Sequence, residues 1–146
     1  MVETVLVPID GSPLSFRALH RALELFSDAS VVVYYVSSPF DPGQPSRGES
    51  SYEPLIGSDK WYAMERDAAE ELLAEAESIA EDSGRNVETA WEIGDPQRLI
   101  PEYALEEGVD HIVMGVHGRE EPDRSLVGRV AETVVFRSPV SVTVIR

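Results

Sequence analysis

No cysteine occurs in the sequence, which removes disulfides, thiol catalysis and cysteine-held metals from consideration. Lysine is nearly missing too. Lys60 stands beside eleven arginines, against nine aspartates and eighteen glutamates, for a formal net charge of −15. A surface of that sign repels phosphate chains and anionic lipid, so neither nucleic acid nor a membrane is expected as a partner. No apolar run approaches the length needed to cross a bilayer, and Met1 to Pro8 shows no basic region leading into a long apolar segment. A soluble cytoplasmic protein is expected. Strong acidity with almost no lysine suits a salt-rich, halophilic cytoplasm; the alternative is a very soluble mesophile protein. Histidine is sparse, and His20, His111 and His117 lack metal-ligand spacing. No histidine- or cysteine-based nucleophile arrangement and no Gly-Lys-Ser/Thr phosphate loop is present, so no enzyme is expected.

What is present is enough core for one domain spanning 1–146. Thr4 to Ile9 is an apolar, β-branched run that ends at Asp10-Gly11-Ser12-Pro13, where Ser12 is a natural helix cap and Pro13 suits the first helical position. The helix that follows carries Phe16, Leu19, Ala22, Leu23 and Phe26 on one face. Ser30 to Val36 is too continuously apolar for a strand with a wet face and reads as buried. Residues 37–59 hold four prolines with glycines and serines, a composition that reads as a long loop. Trp61, Met64, Ala68, Leu72, Ala76 and Ile79 then recur at helical spacing, with Glu65, Glu70, Glu71, Glu75, Glu77 and Glu81 as the solvated faces.

Val87 to Ile93 alternates apolar and polar, as an edge strand does. Gly94-Asp95-Pro96 repeats the cap-then-proline start, and Pro101 is expected to kink that helix or start it afresh. Asp110 to Met114 is a fourth strand. Met114-Gly115-Val116-His117-Gly118 leaves it on a glycine, and nine residues later Gly128-Arg129-Val130 enters a run with helical spacing at Leu126, Val127, Val130 and Val134. Strand, glycine loop and helix start together read as a candidate phosphate cradle. The competing reading is that these glycines only end a strand, turn the chain and allow close packing. Val140 to Val144 alternates as a fifth strand.

Strands alternating with helices imply right-handed crossovers and a parallel sheet covered on both faces. Buried strands one, two and four with edge-like three and five are satisfied by the order 3-2-1-4-5. That order reverses between strands one and four, where open α/β sheets bind ligands. The expected class is therefore α/β, an open, twisted, five-stranded sheet, with Asp10-Gly11-Ser12 and Gly115 to Gly118 meeting at its switch point.

Val7-Pro8-Ile9-Asp10-Gly11-Ser12, Gly94-Asp95-Pro96 and Gly115-x-x-Gly118-x9-Gly128 together resemble the universal stress protein family along essentially the whole chain. The resemblance implies a Rossmann-like domain of the adenine nucleotide alpha hydrolase kind, a homodimer joined through the last strand, Val140 to Ile145, and unidentified protein partners. It implies an ATP or AMP site, with Mg²⁺ if the ligand is a triphosphate. Pro8, Asp10, Gly11 and Ser12 would line it, with Asp10 near the ribose or a nucleotide-borne metal. Val36 and Ile93 would border the adenine, and Gly115, His117, Gly118, Arg119, Gly128, Arg129 and Val130 would serve ribose and phosphates. Any ATP hydrolysis would be very slow.

The sequence departs from that pattern at Arg129, where the family has Ser or Thr, and at Glu120-Glu121-Pro122 in the spacer, with Arg119 and Arg124 flanking the two carboxylates. A guanidinium can pair with phosphate where a hydroxyl is lost, whereas carboxylates facing a triphosphate oppose it. Two readings follow: a nucleotide-binding regulatory module of the stress response, or a dimeric interaction protein of the same fold that binds no nucleotide.

Overall fold

The computed structural model describes residues 2–38, 55–117 and 128–146. Its elements run β1 (Thr4–Ile9), α1 (Pro13–Leu25), β2 (Ser30–Ser37), α2 (Asp59–Asp82), β3 (Glu88–Ile93), α3 (Pro96–Glu106), β4 (His111–Gly115), α4 (Arg129–Arg137) and β5 (Ser141–Ile145). All strand pairs are parallel, and the sheet order is β3-β2-β1-β4-β5. The expected α/β class and order are both observed.

Alternate residues of the central strands feed two cores. Val5, Val7, Ile9, Val31, Val33 and Tyr35 pack under α1 and α2. Leu6, Val32, Tyr34, Val36, Ile112 and Met114 pack under α3 and α4. Burial on both faces is why β1 and β2 are near-continuously apolar, while edge strand β3 leaves Glu88, Thr89 and Glu92 exposed. The cap-then-proline starts form as read: Ser12 Oγ accepts from Ser15 N–H at 3.2 Å, and Asp95 Oδ1 from Gln97 N–H at 3.0 Å.

The α1–β2 turn is held by Arg85, whose guanidinium donates to the carbonyls of Leu23 at 2.9 Å and Ala29 at 2.8 Å. One of these carbonyls belongs to the last turn of α1, where helix geometry leaves C=O groups without partners.

Some boundaries and faces differ from expectation. β2 continues through Ser37, β3 begins at Glu88, β4 runs from His111 to Gly115, and β5 is shifted to Ser141–Ile145. Asp110 is not in β4; its carboxylate accepts from Glu3 and Thr4 N–H, both at 2.9 Å, and so ties the start of β1. α3 passes through Pro101 without a break. The ring sits in the second turn, where it removes one backbone hydrogen bond, and burial of Leu99, Ile100, Pro101 and Ala104 offsets that loss.

The buried face of α2 is Trp61, Glu65, Ala69, Leu73, Ala76 and Ala80. Met64 is exposed, Ala68, Leu72 and Ile79 are only half-buried, and Glu65 is inside rather than on a solvated face. The small residues Ala69, Ala76 and Ala80 let α2 approach the sheet, so packing distance set the face, not the sum of hydrophobicity. α2 begins at Asp59, capped by Ser58. Most of the expected 37–59 loop, together with Leu126 and Val127, lies outside the described residues.

Candidate functional site

The switch point of the sheet, the crevice where open α/β sheets bind ligands, lies between β1 and β4. β1 is registered with β2 along its length, to Ile9↔Tyr35, but with β4 only at Val5↔His111 and Leu6↔Ile112. Pro8, buried near the end of β1, has no N–H with which to extend a ladder. Beyond Leu6 the two strands therefore proceed unpaired to their carboxyl ends, at the place where the sheet order reverses.

The turn after β1 forms one wall. Asp10 Oδ1 accepts from Ser12 N–H at 2.9 Å, and Gly11 sits at φ +85°, a left-handed conformation that glycine adopts at no cost. A Cβ at Gly11 would lie 3.0 Å from Leu72 of α2, so the turn is also closely covered.

The glycine segment after β4 forms the opposite wall. Gly115 ends β4 against the start of α1, where a Cβ would stand 3.1 Å from Leu14 Cβ and 3.2 Å from the Leu14 carbonyl carbon. Close approach between strand and helix is thus the demonstrable use of Gly115. Val116 N–H donates to Ile145 O, and Val116 O accepts from Gly128 N–H, both at 2.7 Å. The second bond brings the N-cap of α4 onto the end of β4 across the intervening segment. Gly128 is buried and supplies no side-chain cap, so α4 presents its first-turn N–H groups, the positive end of its dipole, beside the crevice. Arg129 is exposed at that end and Val130 half-buried.

His117 follows Val116 directly and is half-buried. Its Nδ1 is buried with no hydrogen-bond partner among the described residues. A buried nitrogen left so costs about 1–3 kcal/mol. Val36 and Ile93 lie at the carboxyl ends of β2 and β3, where Ser37 registers with Ile93 and Ser37 O accepts from Gly94 N–H at 2.8 Å. Pro8, Asp10, Gly11, Ser12, Gly115, His117 and Gly128 therefore converge at one end of the sheet, with Arg129 and Val130 at the entry to α4. Val36 and Ile93 stand one and two strands away from β1. Gly118, Arg119, Glu120, Glu121, Pro122 and Arg124 lie outside the described residues.

One neighbouring group escaped the sequence reading. Glu65 Oε2 accepts a hydrogen bond from Ser37 Oγ at the end of β2. The signal was the 61-65-69-73-76-80 spacing, a cleaner helical face than the one chosen, obscured because a glutamate occupies it. Among the described residues no group of three or more histidines or acidic residues is placed to hold a metal.

The whole chain, residues 1–146, matches the model of the universal stress protein family. The chain belongs to the universal stress protein family. A family relative named as a universal stress protein from Staphylococcus haemolyticus is 32% identical over 99% of this chain and 84% of its own length. The solved universal stress protein UspA from Lactobacillus plantarum superposes with a TM-score of 0.76 at 26% identity, covering 99% of this chain and 98% of that one. A universal stress protein solved in complex with cAMP gives 0.70 at 26% identity, covering 99% and 97%. A member from Archaeoglobus fulgidus solved with dAMP gives 0.63 at 22% identity, a likeness of fold, covering 100% and 98%. No helix among the described residues is long and apolar enough to cross a membrane.

Proposed function

We propose that this chain is a cytoplasmic regulatory module of the stress response that binds an adenine nucleotide, ATP or AMP, at the β1–β4 crevice and does not turn it over at an enzyme-like rate. The observation that carries the reading is the bond from Gly128 N–H to Val116 O. It sets a helix N-terminus without a side-chain cap at the end of β4, next to His117, whose Nδ1 has no hydrogen-bond partner among the described residues, while Asp10-Gly11-Ser12 follows β1 on the other side of the switch point. Backbone N–H groups at a helix start suit phosphate; the imidazole nitrogen supplies a further polar contact. The family member solved with cAMP supports the ligand class. Mg²⁺ enters only with a triphosphate, on the Asp10 side. The bound state is read by protein partners, and the functional unit is a homodimer paired through β5.

Calorimetric titration with AMP, ADP and ATP, with and without Mg²⁺, tests this. A dissociation constant in the micromolar range is expected. Ligand at about a hundred times that constant adds about 2.7 kcal/mol, which raises the unfolding midpoint by several degrees in a domain of this size. His117→Phe, which keeps the ring shape and removes Nδ1, weakens binding by about tenfold. No binding of any of the three at millimolar concentration, at low and at molar salt, refutes the reading and leaves the nucleotide-free interaction protein in its place.

A further inference from the structure

The sheet has an open edge along β3, which pairs with β2 and, among the described residues, with no strand beyond. Alternate main-chain N–H and C=O groups of such a strand face outward without a ladder partner, which makes the edge a template for an added strand. Register with Val32, Tyr34 and Val36 of β2 puts Glu88, Ala90 and Glu92 on the sheet face that α3 and α4 cover elsewhere. α3 packs on β2 and against α4. Glu88 and Glu92 therefore stay exposed at the rim of that layer, while the small side chain of Ala90 is half-buried between them.

The edge is acidic and partly preset. Tyr34, wholly buried, donates its phenolic O–H to Glu92 Oε2 and stacks on Tyr103 of α3, with ring centroids 4.4 Å apart. Burial, then the charges of Glu107, Glu88 and Glu92, push the Tyr103 phenol upward, so three carboxylates stand within electrostatic reach of one half-buried ring. Arg98 on the same helix is held by Glu102 at 3.1 Å. Among the described residues no group of three or more acidic or histidine side chains is placed to hold a metal ion, so the charges suit cations carried on separate side chains better than one ion. Charge alone guards an edge; a carboxylate also fixed by a buried hydroxyl loses less freedom on meeting a cation. A second copy's β3 does not fit, because pairing would set like charges opposite one another.

We infer that the β3 edge is a docking site for an extended segment of a partner protein, which adds as a further strand and carries basic side chains four residues apart, one facing Glu88 and one facing Glu92. The two glutamates are about 13 Å apart along the strand, and the middle residue of the segment lies beside Ala90. The site uses no residue assigned to the nucleotide and holds whether or not a nucleotide binds.

The probe is a blocked, threonine-rich heptapeptide with valine at its centre and arginine two residues to either side, titrated into the full chain without nucleotide in physiological salt. One-to-one binding with a dissociation constant below about 1 mM is expected. An isomer with the two arginines adjacent, and a version N-methylated between the arginines, bind at least about fivefold more weakly, since one loses the register and the other the ladder. Glu88→Lys combined with Glu92→Gln, which keeps an acceptor for Tyr34, weakens binding about tenfold. Glu70→Gln combined with Glu77→Lys makes the same change of charge on the exposed face of α2 and leaves binding unchanged. No binding by the wild type, equal binding of the three peptides, or equal effects of the two double variants overturns the inference, the last two outcomes by showing attraction to net charge alone. If the edge variant fails to fold, the peptide series on the wild type decides.

Discussion

His111 opens β4 with its ring against Phe26, centroids 4.8 Å apart, and its Nε2 2.7 Å from Thr143 Oγ1 on β5. Burial disfavours the imidazolium and lowers its pKa below the ordinary 6.5. The unfolded chain therefore takes up a proton at a higher pH than the folded one. The associated stability is complete above about pH 6.5 and is lost as pH falls from there through the lowered folded value. The drop in unfolding midpoint between pH 7 and pH 5 is expected to be smaller in His111→Gln than in the wild type; equal drops would show that another group governs this window. Asp110 acts in the same direction at lower pH. Backbone N–H groups of Thr4 and Glu3 hold its carboxyl below 3.8, so its contribution begins to fall only beneath that value. Tyr34 lies outside both windows, since burial and the hydrogen bond it donates to Glu92 push the phenol upward.

Among the described elements, β5 is, with β3, one of the two strands with an open side. It pairs with β4 from His111↔Ser141 to Gly115↔Ile145 and, among the described residues, with no strand beyond, and the neighbouring helix α4 carries Phe136 at 81% exposure. An edge strand with alternating valines beside an exposed aromatic is a template for pairing, and a second copy closes it symmetrically. Light scattering in molar salt at micromolar protein is expected to give the mass of two chains, and Val142→Asp the mass of one; a wild-type monomer, or a dimer indifferent to that substitution, removes this assembly.

The elements were legible because β2 is continuously apolar where β3 alternates, and because the Ser12-Pro13 and Asp95-Pro96 starts are local chemistry. The face of α2 was not, since a buried glutamate reads as solvated until its Ser37 partner is known. Pro8 was visible in the chain, but its effect depends on the β1–β4 register. The Gly128–Val116 bond joins residues whose proximity is tertiary, so the spacing put Gly115 and Gly128 at the carboxyl end of the sheet without showing what joins them.

For the molecule as a whole, a net charge of −15 dominates. Ion pairs are few and exposed among the described residues: Arg21–Glu24 at 3.3 Å and Arg98–Glu102 at 3.1 Å. Pairs of that kind contribute about 0–1 kcal/mol, which leaves repulsion as the main electrostatic effect. Its reach shrinks from about 30 Å at 0.01 M salt to about 3 Å at 1 M. The unfolding midpoint is expected to climb as KCl rises across that range. A flat or falling curve would contradict the halophilic reading.

The short ladder between β1 and β4 has a mechanical meaning as well. A tension applied through residues 2 and 146 pulls the start of β1 against the end of β5, which loads the parallel strands in shear. β4 and β5 share five registered pairs, β1 and β4 only two. The seam between β1 and β4 is thus the weakest line in the sheet, and it divides β3-β2-β1 from β4-β5. It is also the line that the candidate site straddles, with Asp10 on one half and Gly115, His117 and Gly128 on the other. A small molecule bound there acts as a rivet across the one joint along which the sheet would part.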